Sequence, residues 1–465
     1  MTERRFAARC AILALLSMLA GCSLVPAYER PALPVPERFP GDDRRPATAL
    51  PGWRDYYAEP ELQTLIAAGL THNRDLRIAI ARVEEARGLA GIARADRLPT
   101  VNAQGSGNRA RTPADLTNIG QARTSSRYDL GPGITAFELD FWGRVAALDE
   151  AARAQYLATE EAARAFRASL IGDVATTWYL LAELTERERL AAETLANRSD
   201  SLALLRKRRE VGLASDLEVL AAEGLVESVR AQLGEIRRQR LQTENALSLL
   251  TGMSETLPRP AFMPRKGAPA TLAPGLPSEV LLARPDVRAA EQRLIAANAN
   301  VGAARAAFFP SITLTGSLGT ASAALSGLFD AGSGAWLFQP VLKFPLFDAG
   351  RTQANLDVAE ARKIAAVADY EKTVQQAFRE VADALAARET YAEQVAALEA
   401  NLVVQRARLE RVQARQRAGV ASYLEVLDAS RDAFAAQQSL VTAHRQLFAA
   451  AAALYKALGG GSEDY

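Results

Sequence analysis

The sequence predicts an α+β membrane protein with an internal two-fold repeat, each half a strand pair followed by a long helical hairpin. Three observations predict it: segments that recur at a fixed shift, four stretches of strand length with alternating polarity, and proline-free heptad runs too long for a compact core.

The chain opens on Arg4, Arg5 and Arg9 and runs into an apolar stretch from Ala11 to Ala20, the layout of a secretory signal spanning residues 1–21. Leu19-Ala20-Gly21-Cys22 resembles a bacterial lipobox, which implies cleavage before Cys22 and a covalent lipid on that cysteine. Ser23 follows where an Asp would resemble an inner-membrane retention signal, so the resemblance implies a lipid-anchored protein of the cell outer membrane. More than one acyl chain on Cys22 gives a stable anchor. Residues 22–60 are rich in proline and without periodicity, an extended strap.

Composition excludes several functions. Residues 1–21 carry three Arg and one Glu, so their removal takes the formal charge from +1 to −1 and leaves no basic footprint for nucleic acid. Cys10 leaves with the signal, so no disulfide forms. His72 and His444 have no second His or Cys at ligand spacing and read as solvated helix residues, with no metal site. No phosphate-binding loop, nucleophile elbow or carboxylate pair points to an enzyme, and no cofactor is expected beyond the lipid on Cys22.

The repeat spans residues 61–252 and 276–461, joined by a linker at 253–275 and followed by a tail at 462–465. Gly91 to Val101 matches Gly302 to Ile312, and Asp75 and Arg77 match Asp286 and Arg288, at a shift of 211 (302 − 91). Gly143-Arg144 matches Gly350-Arg351, Val211 to Ser215 matches Ala418 to Ser422, and Gly252 matches Gly459, at a shift of 207 (350 − 143). The difference falls between Pro99 and Phe137, where a loop absorbs it.

Four strands are expected, at Thr100–Asn108 and Tyr128–Phe141 in the first half and at Ser311–Thr320 and Trp336–Phe347 in the second. Each is near the length of about 9 to 11 residues that a tilted membrane strand needs. Gly131-Pro132-Gly133 superficially fits a dinucleotide fingerprint, but it lies inside a strand with no helix behind it, so the match is chance. After the signal no run of about 18 apolar residues offers a spanning helix. Four strands cannot close a barrel, and an open edge in lipid leaves backbone groups unsatisfied. A spanning sheet therefore requires oligomerisation, with eight strands from two chains or twelve from three; the alternative is a soluble four-stranded sheet.

Helical hairpins follow at 143–252 and 350–459. Proline is absent from Gly143 to Gly212, and such a helix is about 100 Å long. Val219, Val226, Leu233 and Leu247 recur in heptad register, as do Val426, Ala433, Leu440, Leu447 and Leu454 beside an alanine row, Ala429, Ala436, Ala443, Ala450 and Ala457. A further row, Leu427, Phe434, Val441, Phe448 and Tyr455, widens the apolar face beyond one two-stranded contact and predicts neighbours on two sides. Gly212 and Gly419 suit positive φ at the hairpin turns, and Ser215 and Ser422 suit caps of the returning helices.

These residues together resemble the TolC-type outer-membrane factors, specifically the OprM-like (NodT) lipoproteins of resistance-nodulation-division (RND) efflux systems, over essentially the whole mature chain. The most specific segments are Leu276-Pro277-Ser278, Arg284-Pro285-Asp286, Ala304 to Pro310, Phe347 to Arg351, Tyr423 to Ala429 and Tyr455 to Gly461. The resemblance implies a homotrimer, with a 12-stranded transmembrane β-barrel continued by a periplasmic α-helical barrel. It implies an efflux exit duct that works with a periplasmic adaptor (membrane fusion protein) and an inner-membrane RND pump. The turns, with Arg208, Gly212 and Ser215 and with Arg415, Gly419 and Ser422, look like the adaptor-docking tips. The family's closed gate maps onto Leu424, Asp428 and Arg431, while Glu425 stands where some relatives carry a further pore Asp. The first half has Leu217 at the position of Leu424 but Gly224 at that of Arg431, so only the second half carries the full set. The rivals are a type I secretion exit duct and a structural coiled-coil lipoprotein without a pore.

Overall fold

The structure, a computed structural model, describes residues 23–39, 51–118, 120–253, 257–258, 260 and 278–460. The signal, Cys22, part of the strap, most of the 253–275 linker and the tail lie outside the described residues. The chain divides into two compact units, the first holding residues up to Ala32, Arg82–Glu160 and Ala289–Tyr370, the second Leu33–Ala81, Glu161–Arg288 and Glu371 onward.

The main elements are α1 (Pro60–His72), α2 (Arg74–Ala95), β1 (Val101–Thr112), β2 (Arg123–Leu139), α3 (Arg144–Glu210), α4 (Asp216–Thr251), α5 (Pro285–Ala306), β3 (Ser311–Ser322), β4 (Gly334–Lys343), α6 (Arg351–Arg417) and α7 (Tyr423–Ala457). Each half thus runs helix, strand, strand, a 67-residue helix and a returning helix of 36 or 35 residues. No described helix is long and apolar enough to cross a membrane.

In the first unit the strands form one antiparallel sheet in the order β1-β2-β3-β4. β1 and β2 run past the expected strand ends, because the ladder from Arg109↔Ser126 to Thr112↔Arg123 needs no apolar alternation. β4 is shorter than expected and stops at Lys343, since Pro345 lacks an N–H and restricts Phe344 before it. β2 and β3 approach so closely at Gly131 that a Cβ there would lie 2.3 Å from the Leu318 carbonyl oxygen. Gly131 and Gly133 are ladder residues of β2. Trp336, Phe338 and Leu342 alternate along β4 and are exposed, and β1 is exposed almost throughout.

The strap lies along α5. Tyr28 and Arg30 both donate to the Glu291 carboxylate, at 3.0 and 2.7 Å, and Asn298 Nδ2 donates to the Pro26 carbonyl at 2.7 Å. Gly302 makes room for it, because a Cβ there would come within 2.5 Å of Val25. Ala151 and Ala154 of α3 pack on Ala296 and Ala299 of α5.

The second unit is helical. Val219, Ala222, Val226, Val229, Leu233 and Ile236 of α4 are buried, as is the entire alanine row of α7. The further α7 row is buried too, and its occupants explain why: Phe434 packs with Leu184, Ala191 and Leu233, and Leu427 with Leu202, Leu205 and Val226. α7 therefore sits against the α3–α4 hairpin, the neighbour its second apolar row predicted. A buried carboxylate, Glu183, accepts hydrogen bonds from Arg187, Thr442 and Arg445 and ties α3 to α7. Tyr56 stacks on Tyr455 at 4.6 Å and donates to the Ala451 carbonyl. His72 is exposed, but His444 is only 5% exposed, with Glu399 at 3.6 Å, which corrects its reading as a solvated residue. It falls between two buried α7 rows, where the helix face is already committed to packing.

Positions at the repeat shifts make matching contacts. Asn73 Nδ2 donates to the Leu250 carbonyl at 2.9 Å, and Arg284 Nη1 to the Ala457 carbonyl at 2.5 Å. Gly252 and Gly459 both hold positive φ beside those contacts, at 65° and 93°. Arg284 also pairs with Asp286 and Glu380, so Arg284-Pro285-Asp286 is a structural strut.

Candidate functional site

The two helical turns are built alike. After α3, Gly212 takes φ +71°, its N–H reaches the Arg209 carbonyl and the Leu213 N–H the Arg208 carbonyl, at 2.9 and 2.8 Å. After α6, Gly419 takes φ +73°, its N–H reaches the Gln416 carbonyl and the Val420 N–H the Arg415 carbonyl, both at 3.0 Å. Such paired bonds satisfy the carbonyls a helix end leaves open. Ser215 with Glu218 and Ser422 with Glu425 then close capping boxes on α4 and α7. The Ser422 backbone N–H, its hydroxyl and the Arg415 guanidinium hold the Glu425 carboxyl below its ordinary range.

Arg415 is partly committed, donating to the Val420 carbonyl at 3.2 Å and standing 3.7 Å from Glu425. Arg208 has no ion-pair partner among the described residues. The turns also expose apolar side chains, Val211 at 69%, Leu213 at 68% and Val420 at 64%. The docking residues expected from sequence are the arginines, glycines and serines, and these three are not among them, although an apolar residue stands on each side of each turn glycine in the sequence.

One turn into α7 lies the Leu424, Asp428 and Arg431 face. Leu424 packs partly on the cluster of Leu202, Leu205 and Leu427. Asp428 and Arg431 are exposed and 3.4 Å apart, and Arg431 also stands 3.5 Å from Asp432, which Arg408 holds at 2.7 Å. The structure thus brings Asp428 and Arg431 together and leaves Leu424 one helical turn above them. Behind this face is Arg198 of α3, 7% exposed, with Nη1 donating to the Leu225 carbonyl and its charge 5.6 Å from the Phe434 ring. Among the described residues its Nε and Nη2 have no hydrogen-bond partner. Burial, and then the nearby Arg431, lower its pKa. Nothing in the sequence separates Arg198 from the other arginines of α3.

Among the described residues no group of His, Cys, Asp and Glu could hold a metal ion. What the arrangement offers is structural: capped, apolar tips and a charged face beside them. The family model described as outer membrane efflux protein matches residues 65–253 and 276–460. The chain belongs to the outer membrane efflux protein family. Its members are transporters rather than enzymes. This efflux protein is 46% identical to the solvent efflux pump outer membrane protein SrpC of Pseudomonas putida, over 96% of this chain and 97% of that one. It is 41% identical to the cation efflux system protein CusC of Escherichia coli K12, over 95% and 97%. Among solved structures it is similar to a membrane protein from Pseudomonas aeruginosa, with a TM-score of 0.89 and 43% identity over 95% of this chain and 98% of that one. The fold is that of the TolC-like outer membrane channels.

Proposed function

We propose that this protein is the outer-membrane channel of a tripartite efflux system, a passive duct for small molecules expelled by an inner-membrane RND pump through a periplasmic adaptor. The observation that carries the reading is the four-stranded sheet with unpaired edges at β1 and β4, in a chain of an efflux family. Such a sheet enters lipid only by pairing those edges with other copies. Three chains give a 12-stranded β-barrel, continued by the long hairpins as a helical barrel. The family model matches the chain twice, and the second span begins 211 and ends 207 residues after the first (276 − 65 and 460 − 253), in support of the internal repeat. A lipid on Cys22 anchors the assembly in the outer membrane and the hairpins extend into the periplasm.

In this reading the turns with Gly212 and Gly419 are the periplasmic tips. Their exposed Val211, Leu213 and Val420, flanked by Arg208 and Arg415, meet the adaptor. Asp428 and Arg431 close the duct from three sides around Leu424, and adaptor docking separates the helices that carry them. Cargo follows the pump: one relative is named for solvents and another for cations, and a conduit needs no tight site for either.

Planar-bilayer recording tests the gate. Asp428→Ala with Arg431→Ala is expected to enlarge or lengthen channel openings relative to wild type, and unchanged currents would remove these residues from the gate.

A further inference from the structure

The first unit carries an arginine groove that the proposed duct does not use. Arg87 and Arg94 of α2, Arg97 just beyond it and Arg153 of α3 line about 570 Å³ of space together with Asp149 and Tyr156. Asp149 pairs with Arg97 at 3.1 Å, while Arg87 pairs with Glu84 and stands 5.6 Å over the Tyr156 ring. Arg94 and Arg153 are exposed, and neither has an ion-pair partner among the described residues. The second half differs at the same places. At the repeat shifts Arg94 corresponds to Arg305 and Arg153 to Glu360, and those two form an ion pair at 3.5 Å. Where the second half neutralises its arginine, the first adds another. Like charges lining one groove repel, and an anion between them converts that repulsion into attraction.

Two observations set the groove beside lipid. β1 begins at Val101, just after Arg97. Ser23, the neighbour of Cys22, lines a second cavity that Arg97 also lines, together with Leu139 and Phe141 at the end of β2. Strand ends and an acyl anchor both belong at the periplasmic face of the outer membrane, so arginines adjoining both meet headgroups. We propose that this groove binds the headgroup of an anionic phospholipid of the periplasmic leaflet, with Arg94 and Arg153 holding the phosphate. The proposal rests on the outer-membrane reading above. Arginine suits it because its planar fork matches phosphate oxygens in pairs.

Native mass spectrometry of the full chain in detergent, titrated with phosphatidylglycerol or phosphatidylcholine, tests it. Wild type is expected to retain phosphatidylglycerol selectively, and Arg94→Gln with Arg153→Gln to weaken that retention roughly tenfold or more. Arg94→Lys with Arg153→Lys, which keeps the charges but loses the paired donors, should retain more phosphatidylglycerol than the glutamine variant and less than wild type. Equal phosphatidylglycerol retention by the glutamine variant, or phosphatidylcholine held as firmly by wild type, overturns the proposal. Displacement of the lipid by an equal concentration of inorganic phosphate overturns it in favour of a free anion. Should the glutamine variant fail to fold by circular dichroism, the wild-type discrimination between the two lipids decides alone. Fractionation of cells reports separately on the membrane reading: absence of the chain from the outer membrane overturns that reading, whereas presence with unselective lipid retention overturns the groove alone.

Discussion

Gly212 and Gly252 both hold positive φ, yet a side chain would meet different surroundings at each. Nothing lies within 4 Å of a Cβ built on Gly212, so Gly212→Ala meets only the left-handed penalty, about 1 kcal/mol. At Gly252 the Cβ would stand 2.6 Å from the His72 carbonyl oxygen, so Gly252→Ala is expected to cost about 2–4 kcal/mol, strain and backbone clash together. Unfolding midpoints of the two variants check the contrast, and equal losses would contradict it. Arg198 gives a second test. Its buried guanidinium has two nitrogens without partners among the described residues, so Arg198→Met is expected to leave stability unchanged or raise it by about 1–2 kcal/mol; a marked loss would contradict this. At Glu425 the folded carboxyl titrates below its ordinary range, so the capping box contributes at neutral pH and is lost as pH falls through that lowered range. Amide protection in the first turn of α7 should drop on acidification in wild type and be nearly insensitive to it in Glu425→Gln. The turn glycines and capping serines were legible in the sequence because φ and side-chain chemistry are local. Burial of Arg198 and His444 was not, since it depends on which helix packs over them.

Helices carried their own evidence at the level of the element. A heptad row fixes a face wherever it falls, so Val219, Val226, Leu233 and Leu247 of α4 and the alanine row of α7 are buried as read from sequence, while Leu440 and Leu447 of the other α7 row are only half-buried; the further α7 row foretold a second neighbour without naming it as the α3–α4 hairpin. Close approach explains the alanines. Ala450→Leu should overpack the α7 seam and lower stability by about 1–3 kcal/mol, whereas Leu249→Ala, at a position 78% exposed, should stay within about 0.5 kcal/mol, both read from denaturant unfolding. Strands were legible in number but less so in extent. Their ends are set by the backbone ladder in β1 and β2 and by Pro345 after β4, and neither leaves a trace in polarity alternation.

At the scale of the whole molecule, the chain by itself leaves exposed surfaces that the proposed duct would cover. It offers a sheet with two open edges, a β4 strand with exposed Trp336, Phe338 and Leu342, and on α2 exposed Ile78, Ile80, Leu89 and Ile92. The expectation of more than one chain comes from counting four strands against the minimum for closure, and that count leaves the number of chains open, because eight and twelve strands both close. The proposed gate belongs to the same scale, since Asp428 and Arg431 pair within one chain but would constrict a duct only as a ring. The most direct test is the mass of the detergent-solubilised full-length protein by light scattering, with the detergent contribution removed. A particle of three chains is expected, each near the 49.9 kDa of the sequence less its signal. A homogeneous particle of one or two chains would contradict the 12-stranded duct.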